Sequence, residues 1–160
     1  MSNTPLSQEQ LEKLFKALLN GATVAQAAGV SKDTLEGLYA LAHGLYTSAN
    51  YHDAQIVFQA LSLYDATDYR FWMGLGACRQ AQEQYEAAID AYQMAAVASS
   101  LKNPDPIIYA SKCLVKLGRK EDAIAGLKTA IKIGGESDPS HEAALKKASA
   151  LLNLLEGEDK

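Results

Sequence analysis

The sequence predicts an all-α fold of stacked helix pairs, and three observations carry that reading. One pattern of large and small residues recurs at a near-constant period. Trp72, Leu75, Gly76, Tyr85, Ala88, Tyr92 and Ala95 have counterparts 34 residues earlier in Leu38, Leu41, Ala42, Tyr51, Ala54, Phe58 and Leu61. Their counterparts 35 residues later are Ile107, Ala110, Ser111, Lys120, Ala123, Leu127 and Ala130. The small positions are spaced for close approach: Gly76 and Ala88 admit two antiparallel backbones, with Trp72 and Tyr92 filling the space beside them. The copies are separated by turn-forming residues, most clearly from Ser99 to Pro106 with its Asn-Pro and Asp-Pro pairs.

A single helix pair cannot bury its apolar face, so about three must stack and the ends need caps. Large, apolar-small, aromatic, then small-large-small is the tetratricopeptide pattern. The expected fold is three such repeats in a short superhelical solenoid, with an N-terminal amphipathic helix and a C-terminal capping helix. The third copy is the weakest, having Ser111 in place of Gly and Lys120 in place of an aromatic.

The elements follow in order. Ser7-Gln8-Glu9-Gln10 reads as a capping box. Leu11, Leu14, Phe15, Leu18 and Leu19 then form one apolar stripe, and Asn20-Gly21 stops the helix. This stripe lies outside the repeats and needs a surface, either the first repeat or a second copy of the chain. Thr23 to Ala28 reads as a short helix ended by Gly29, and Asp33 with Glu36 is expected to cap the next one. The first helix pair runs from about Thr34 to Leu63, turning near Ser48–Asn50. The second runs from Asp68 to Ala98, turning at Gln82–Gln84. The third runs from about Pro106 to Ile133, turning at Gly118. Gly134-Gly135 is expected to break the chain before Asp138-Pro139 starts a last helix, with Leu145, Ala148, Leu152 and Leu155 on its apolar face. Glu156 to Lys160 is expected to fray. The domains are therefore 1–33, an N-terminal helical region; 34–133, the repeats (34–67, 68–103 and 104–133); and 134–160, the capping helix and tail.

Composition narrows the function. The chain has 160 residues, 48% hydrophobic and 21% charged, with a net charge of −4. That charge gives no general attraction to nucleic acid or anionic lipid. The first twenty residues lack the basic start and apolar core of a secretory leader. No run approaches the ~18 apolar residues of a membrane span, so a cytosolic protein is expected. Cys78 and Cys113 hold equivalent positions in repeats two and three and read as reduced packing residues, since equivalent positions on neighbouring helices lie ~8–10 Å apart, too far for a disulfide.

Thr23 to Leu35, with its Ala-Gly-Val-Ser turn, looks like a DNA-binding helix-turn-helix. A recognition helix needs donors near its start to reach bases and phosphates. Here Lys32 stands against Asp33 and Glu36, and Leu38, Leu41 and Leu45 are expected to be committed to packing. No nucleic-acid partner is expected. His43, His52 and His141 build no metal site by spacing, and Gly74-Leu75-Gly76 is a packing feature rather than a phosphate loop. No enzyme, cofactor or metal is expected.

What remains is the inner face of the solenoid, lined by the first helix of each pair. The inward positions are Glu36, Tyr39, His43 and Tyr46 in repeat one, Arg70, Met73, Ala77 and Gln80 in repeat two, and Asp105, Ile108, Lys112 and Val115 in repeat three. Tyr39, His43 and Tyr46 share one helical face. Any one of these tyrosines could be a core residue; a row of rings at groove positions suits an extended peptide, held at low entropic cost. Tyr39, His43 and Ala77 stand where repeats that grip acidic C-termini carry Lys or Asn, so this groove is no carboxylate clamp.

The chain resembles the class II chaperones of bacterial type III secretion, which hold translocator proteins. The resemblance is carried by Asp33-Thr34-Leu35-Glu36-x-Leu38-Tyr39-x-Leu41-Ala42, Val57-Phe58-Gln59-Ala60-Leu61, Gln84-Tyr85-x-x-Ala88-Ile89 and above all Tyr69-Arg70-Phe71-Trp72-Met73-Gly74-Leu75-Gly76-Ala77-Cys78-Arg79-Gln80. It implies a cytoplasmic chaperone that binds a short extended segment of each hydrophobic translocator in the groove and keeps it export-competent, without inserting into membranes itself. The peptide-binding residues then expected are Tyr39, His43, Tyr46, Met73, Ala77, Gln80, Ile108 and Lys112. It also implies homodimers through the N-terminal region, which favours a second copy as the surface for Leu11, Leu14, Phe15 and Leu18. The chain departs from the resemblance at His43, where an aromatic such as Phe is more usual, and at Lys112, where an acidic residue is expected.

Overall fold

The computed structural model describes residues 7–135 and 139–157. Nine α-helices and one 3-10 turn occur among them, and no strand. The helices are α1 (Gln8–Leu19), α2 (Val24–Ala28), α3 (Lys32–Thr47), α4 (Tyr51–Tyr64), α5 (Tyr69–Ala81), α6 (Tyr85–Ala98), α7 (Asp105–Lys116), α8 (Lys120–Gly135) and α9 (Glu142–Gly157). Asp138, expected to start the last helix, and the final three residues of the tail lie outside the described residues. The 3-10 turn Pro139–His141 leads into α9.

Helix starts have local causes. The Ser7 hydroxyl accepts from the Gln10 amide at 3.3 Å while Gln10 Oε1 accepts from the Ser7 amide at 2.8 Å. Thr23 and Gln26 repeat this exchange at α2, and Gly29 ends that helix at φ 71°. The cap of α3 differs from the sequence expectation. Ser31 accepts from the Thr34 amide at 3.1 Å, so Asp33 lies inside the first turn, where its charge meets the helix dipole. Asp68 caps α5 by accepting from the Arg70 amide.

The turns within the three pairs share one geometry. Ala49, Glu83 and Gly118 stand at equivalent positions with φ of 60°, 60° and 72°. The next amide reaches back five residues each time, from Asn50 to Leu45, Gln84 to Arg79 and Arg119 to Leu114, all at 2.9 Å. This is the Schellman closure of a helix end. Only the third copy supplies glycine, the residue that enters this region without steric cost.

The principal contacts run between helices adjacent in sequence, from α3 on α4 through to α8 on α9. The second helix of each pair carries the core: Ala54, Phe58 and Leu61 in α4, Ala88, Tyr92 and Ala95 in α6, and Ala123, Leu127 and Ala130 in α8 are all buried. Two glycines of α5 receive rings from both sides. Gly74 faces Phe58 and Gly76 faces Tyr92, with no room for a Cβ at either. Trp72 packs against the core cluster that holds Leu61, Phe71 and Leu75. It is half-buried, and its indole N–H donates to the Ala66 carbonyl at 2.9 Å. Cys78 and Cys113 are free thiols, fully buried, and burial pushes each up to about 11.

Two further expectations are corrected. Gly134-Gly135 does not break the chain there: α8 runs through both residues, and the missing side chain of Gly134 makes room for Leu145 of α9. Leu41 is not committed to packing. It is 53% exposed, whereas its counterpart Leu75 is 2% exposed. The reason is positional: neither α1 nor α2 makes a principal contact with α3. The principal contacts of α1 are with α2 alone, and none of its residues is buried.

Candidate functional site

Helices α3, α5 and α7 present one residue after another to a shared hollow of about 600 Å³, well within the range that holds ligand groups. Tyr39, His43 and Tyr46 come from α3, Tyr69, Arg70, Met73, Gly74, Ala77, Gln80 and Ala81 from α5, and Asp105 and Tyr109 from α7. Phe58 and Tyr92 of the second helices also line it. Ala77 lacks bulk, which leaves space open between flanking rings, whereas the room beside Gly74 is taken by the Phe58 ring.

Tyr39 is the best-supported ring. It meets Phe58 edge-on at 6.0 Å between centroids and lies 5.9 Å from Phe71. The Arg70 guanidinium sits 4.9 Å above it. Arg70 in turn is clasped by two carboxylates. Its Nη2 donates to Glu36 Oε1 and to Asp68 Oδ2, both at 2.6 Å, and its Nε donates to Asp68 Oδ1 at 3.0 Å. Arg70 therefore ties α5 to α3 across one repeat. The hydrogen bond from Arg70 holds the Glu36 carboxyl below its usual range. Those from Asp68 and Glu36 raise the Arg70 pKa further, so the guanidinium is permanently charged and internally paired.

The remaining rings are fixed in similar ways. Tyr46 lies 5.3 Å from Tyr51, and burial raises its hydroxyl pKa. Tyr92 donates to Gln80 Oε1 at 2.7 Å and stacks on Tyr109 at 5.6 Å.

Six of the residues read from the sequence as a peptide site line this one hollow: Tyr39, His43, Tyr46, Met73, Ala77 and Gln80. His43 is exposed, while Tyr39 and Tyr46 are half-buried. Ile108 and Lys112 fall elsewhere. They line a smaller adjoining hollow of about 180 Å³ with Asp105, Tyr109, Ala144 and Lys147. Ile108 is only 3% exposed and belongs to the core with Leu127, Ala148 and Leu155, because α9 packs on α7 and α8 and covers it. The ring that reaches the main hollow from α7 is its neighbour Tyr109. Sequence reasoning missed Tyr109, Tyr69, Phe58 and Tyr92 as lining residues. Phe58 and Tyr92 share one signal, a ring set against a small position, Gly74 and Gly76 respectively.

The stripe on α1 is open to solvent. Leu11, Phe15 and Leu18 are 50%, 62% and 38% exposed, while Leu14 is half-buried beside Ala27 and Ala28 of α2. Among the described residues, no group of three or more His, Cys, Asp and Glu side chains could hold a metal ion, and no helix is long and apolar enough to cross a membrane.

No family model matches the chain. It is 39% identical over 145 residues to the low calcium response locus protein H of Yersinia pestis, covering 91% of this chain and 86% of that protein. Its fold matches the type III secretion translocator chaperone SycD of Yersinia enterocolitica, with TM-score 0.79, 40% identity, and 84% and 98% of the two chains covered. It also matches PcrH of Pseudomonas aeruginosa in complex with the chaperone-binding region of PopD, with TM-score 0.78, 36% identity, and 82% and 98% covered. Sequence identity over nearly the whole length and the same helix-pair solenoid lead to one conclusion: the chain belongs to the family of type III secretion translocator chaperones.

Proposed function

We propose that this protein is a bacterial cytoplasmic chaperone whose groove holds an extended apolar segment of a secretion translocator. The observation that carries the reading is the hollow of about 600 Å³ walled by Tyr39, Tyr46, Tyr69 and Tyr109, with the small Ala77 also in its lining. Rigid rings around a small residue accept apolar anchors without ordering flexible side chains. The bound segments in the relatives' complexes, such as the chaperone-binding region of PopD, are the chemistry this groove suits. The protein acts by binding, not by catalysis. It masks a membrane-seeking segment until export.

The same reading includes a homodimer through α1. Leu11, Phe15, Leu18 and Leu19 form an uncovered apolar stripe, and Leu41 on α3 is uncovered as well. A second copy of the chain would cover such a stripe.

Calorimetry of the full chain with the PopD chaperone-binding region tests the groove. A well-buried anchor contributes about 1.5–3 kcal/mol against an association cost of roughly 4–15 kcal/mol. A dissociation constant on the order of micromolar is expected. Binding that survives blockage of the hollow at Ala77 would move the site elsewhere.

A further inference from the structure

The groove does not end with its aromatic hollow. Asp105 and Tyr109 wall that hollow and also the smaller one beyond it, which Lys112 and Lys147 complete. A chain that lies past Tyr109 meets a different chemistry. The first hollow offers rings, and the second offers two ammonium groups from two different helices, α7 and α9.

The positive charge there is available. The Lys112 ammonium lies 4.7 Å over the Tyr109 ring, a cation–π contact that leaves its N–H donors uncommitted. Among the described residues no ion pair joins Lys112 or Lys147 to a carboxylate. Asp105 is the carboxylate on the shared wall, and against two lysines it leaves a net positive charge. The other cation of the groove, Arg70, is held by Glu36 and Asp68 and is not free to receive a further anion.

Resting on the groove reading above, we propose that Lys112 and Lys147 form a subsite for an acidic side chain of the bound segment. An extended chain advances ~3.3 Å per residue, and the two hollows share a wall. The Glu or Asp therefore lies within about four residues of the apolar anchor seated among the rings. The ring hollow supplies affinity through burial. The lysine hollow supplies discrimination between segments with similar anchors, since each half-exposed ion pair adds little by itself.

The test uses the PopD chaperone-binding region as the probe, with Glu, Gln or Lys placed at each position in turn. Affinities are measured against the full-length wild-type chain, the Lys112→Gln/Lys147→Gln variant and the Lys112→Arg/Lys147→Arg variant. The expected result is one or two neighbouring positions where Glu binds more tightly than Gln, on the order of fivefold, and Lys binds more weakly. That preference disappears in the glutamine variant, persists in the arginine variant and shrinks with added salt. Equal affinities for Glu and Gln at every position would overturn the subsite while leaving the groove reading intact, as would a preference retained in the glutamine variant. A probe that binds the wild type at no position would remove both.

Discussion

Gly76 and Tyr92 share one volume: a Cβ on Gly76 would lie 2.6 Å from Cε1 of the Tyr92 ring. Tyr92 cannot yield easily, being 1% exposed, bonded to Gln80 and stacked on Tyr109. Gly76→Ala should therefore lower stability by about 1–3 kcal/mol through overpacking, despite alanine's better helix propensity. Urea denaturation followed by circular dichroism measures it. A midpoint at or above wild type would show that the ring has room to move.

The left-handed turn positions give the opposite expectation. Ala49 and Glu83 hold φ of 60°, where Gly118 sits in the third copy. A side chain there costs roughly 1–2 kcal/mol, partly offset by the greater freedom of glycine in the unfolded chain. Ala49→Gly and Glu83→Gly should each raise the thermal midpoint, and the double variant should do so additively. A fall in either midpoint would mean that the side chains make compensating contacts.

The groove is best probed where a side chain touches little else. Tyr39 is unsuitable, because it packs on Phe58 and Phe71 and lies beneath Arg70. Tyr39→Ala should cost about 1–3 kcal/mol of stability, less than a fully buried ring because Tyr39 is half-buried. Ala77→Glu instead places a carboxylate into the open hollow. It should leave the thermal midpoint near wild type and reduce affinity for the PopD chaperone-binding region at least tenfold, as read by calorimetry.

Charges on α1 should dissociate the dimer. Phe15→Glu with Leu18→Glu puts two carboxylates on the open stripe, on side chains 62% and 38% exposed. Light scattering should report a dimer for the wild type and a monomer for the variant, with helicity unchanged. Equal masses would place self-association on another surface.

The clasp on Arg70 predicts a pH dependence with a definite sign. Glu36 is held below its ordinary value of 4.5 by the Arg70 hydrogen bond. The folded state thus binds the proton less readily than the unfolded state. Its contribution is full above the ordinary value and is lost as pH falls through the lower folded value. Below about pH 5 the wild-type thermal midpoint should fall more steeply than that of Glu36→Gln. Parallel curves would show that the ion pair adds nothing.

Much of this structure was legible in the sequence because its constraints are local. Gly76 and Ala88, like their counterparts Ala42 and Ala54 and Ser111 and Ala123, are small where helices touch, and that spacing marks the period. The α3 and α5 part of the groove followed from the same register. What the sequence did not show depends on neighbours. Register placed Ile108 among the groove residues, but it lines the adjoining hollow, nearly buried under α9, and Tyr109 is the α7 ring that faces the aromatic hollow. Leu41 matched the buried Leu75 in pattern, yet its burial depends on a preceding helix packed on α3, and neither α1 nor α2 makes a principal contact there. The cap of α3 was misplaced because Asp33 and Ser31 are both good cap residues and only the backbone decides between them.

The neighbour-to-neighbour order of the principal contacts, from α3 to α9, also governs how the molecule comes apart. Each helix is secured mainly by those just before and after it, so opening one end need not disturb the other. Amide exchange should be fastest in α1, rise in protection through α5 and α6, and fall again toward α9. The short loops between partners in contact also suit rapid folding, since little chain must be closed before contacts form. The aromatic hollow lies over the stretch expected to be most protected, and the lysine hollow borders the terminal helix α9, so the two halves of one groove should open on different timescales.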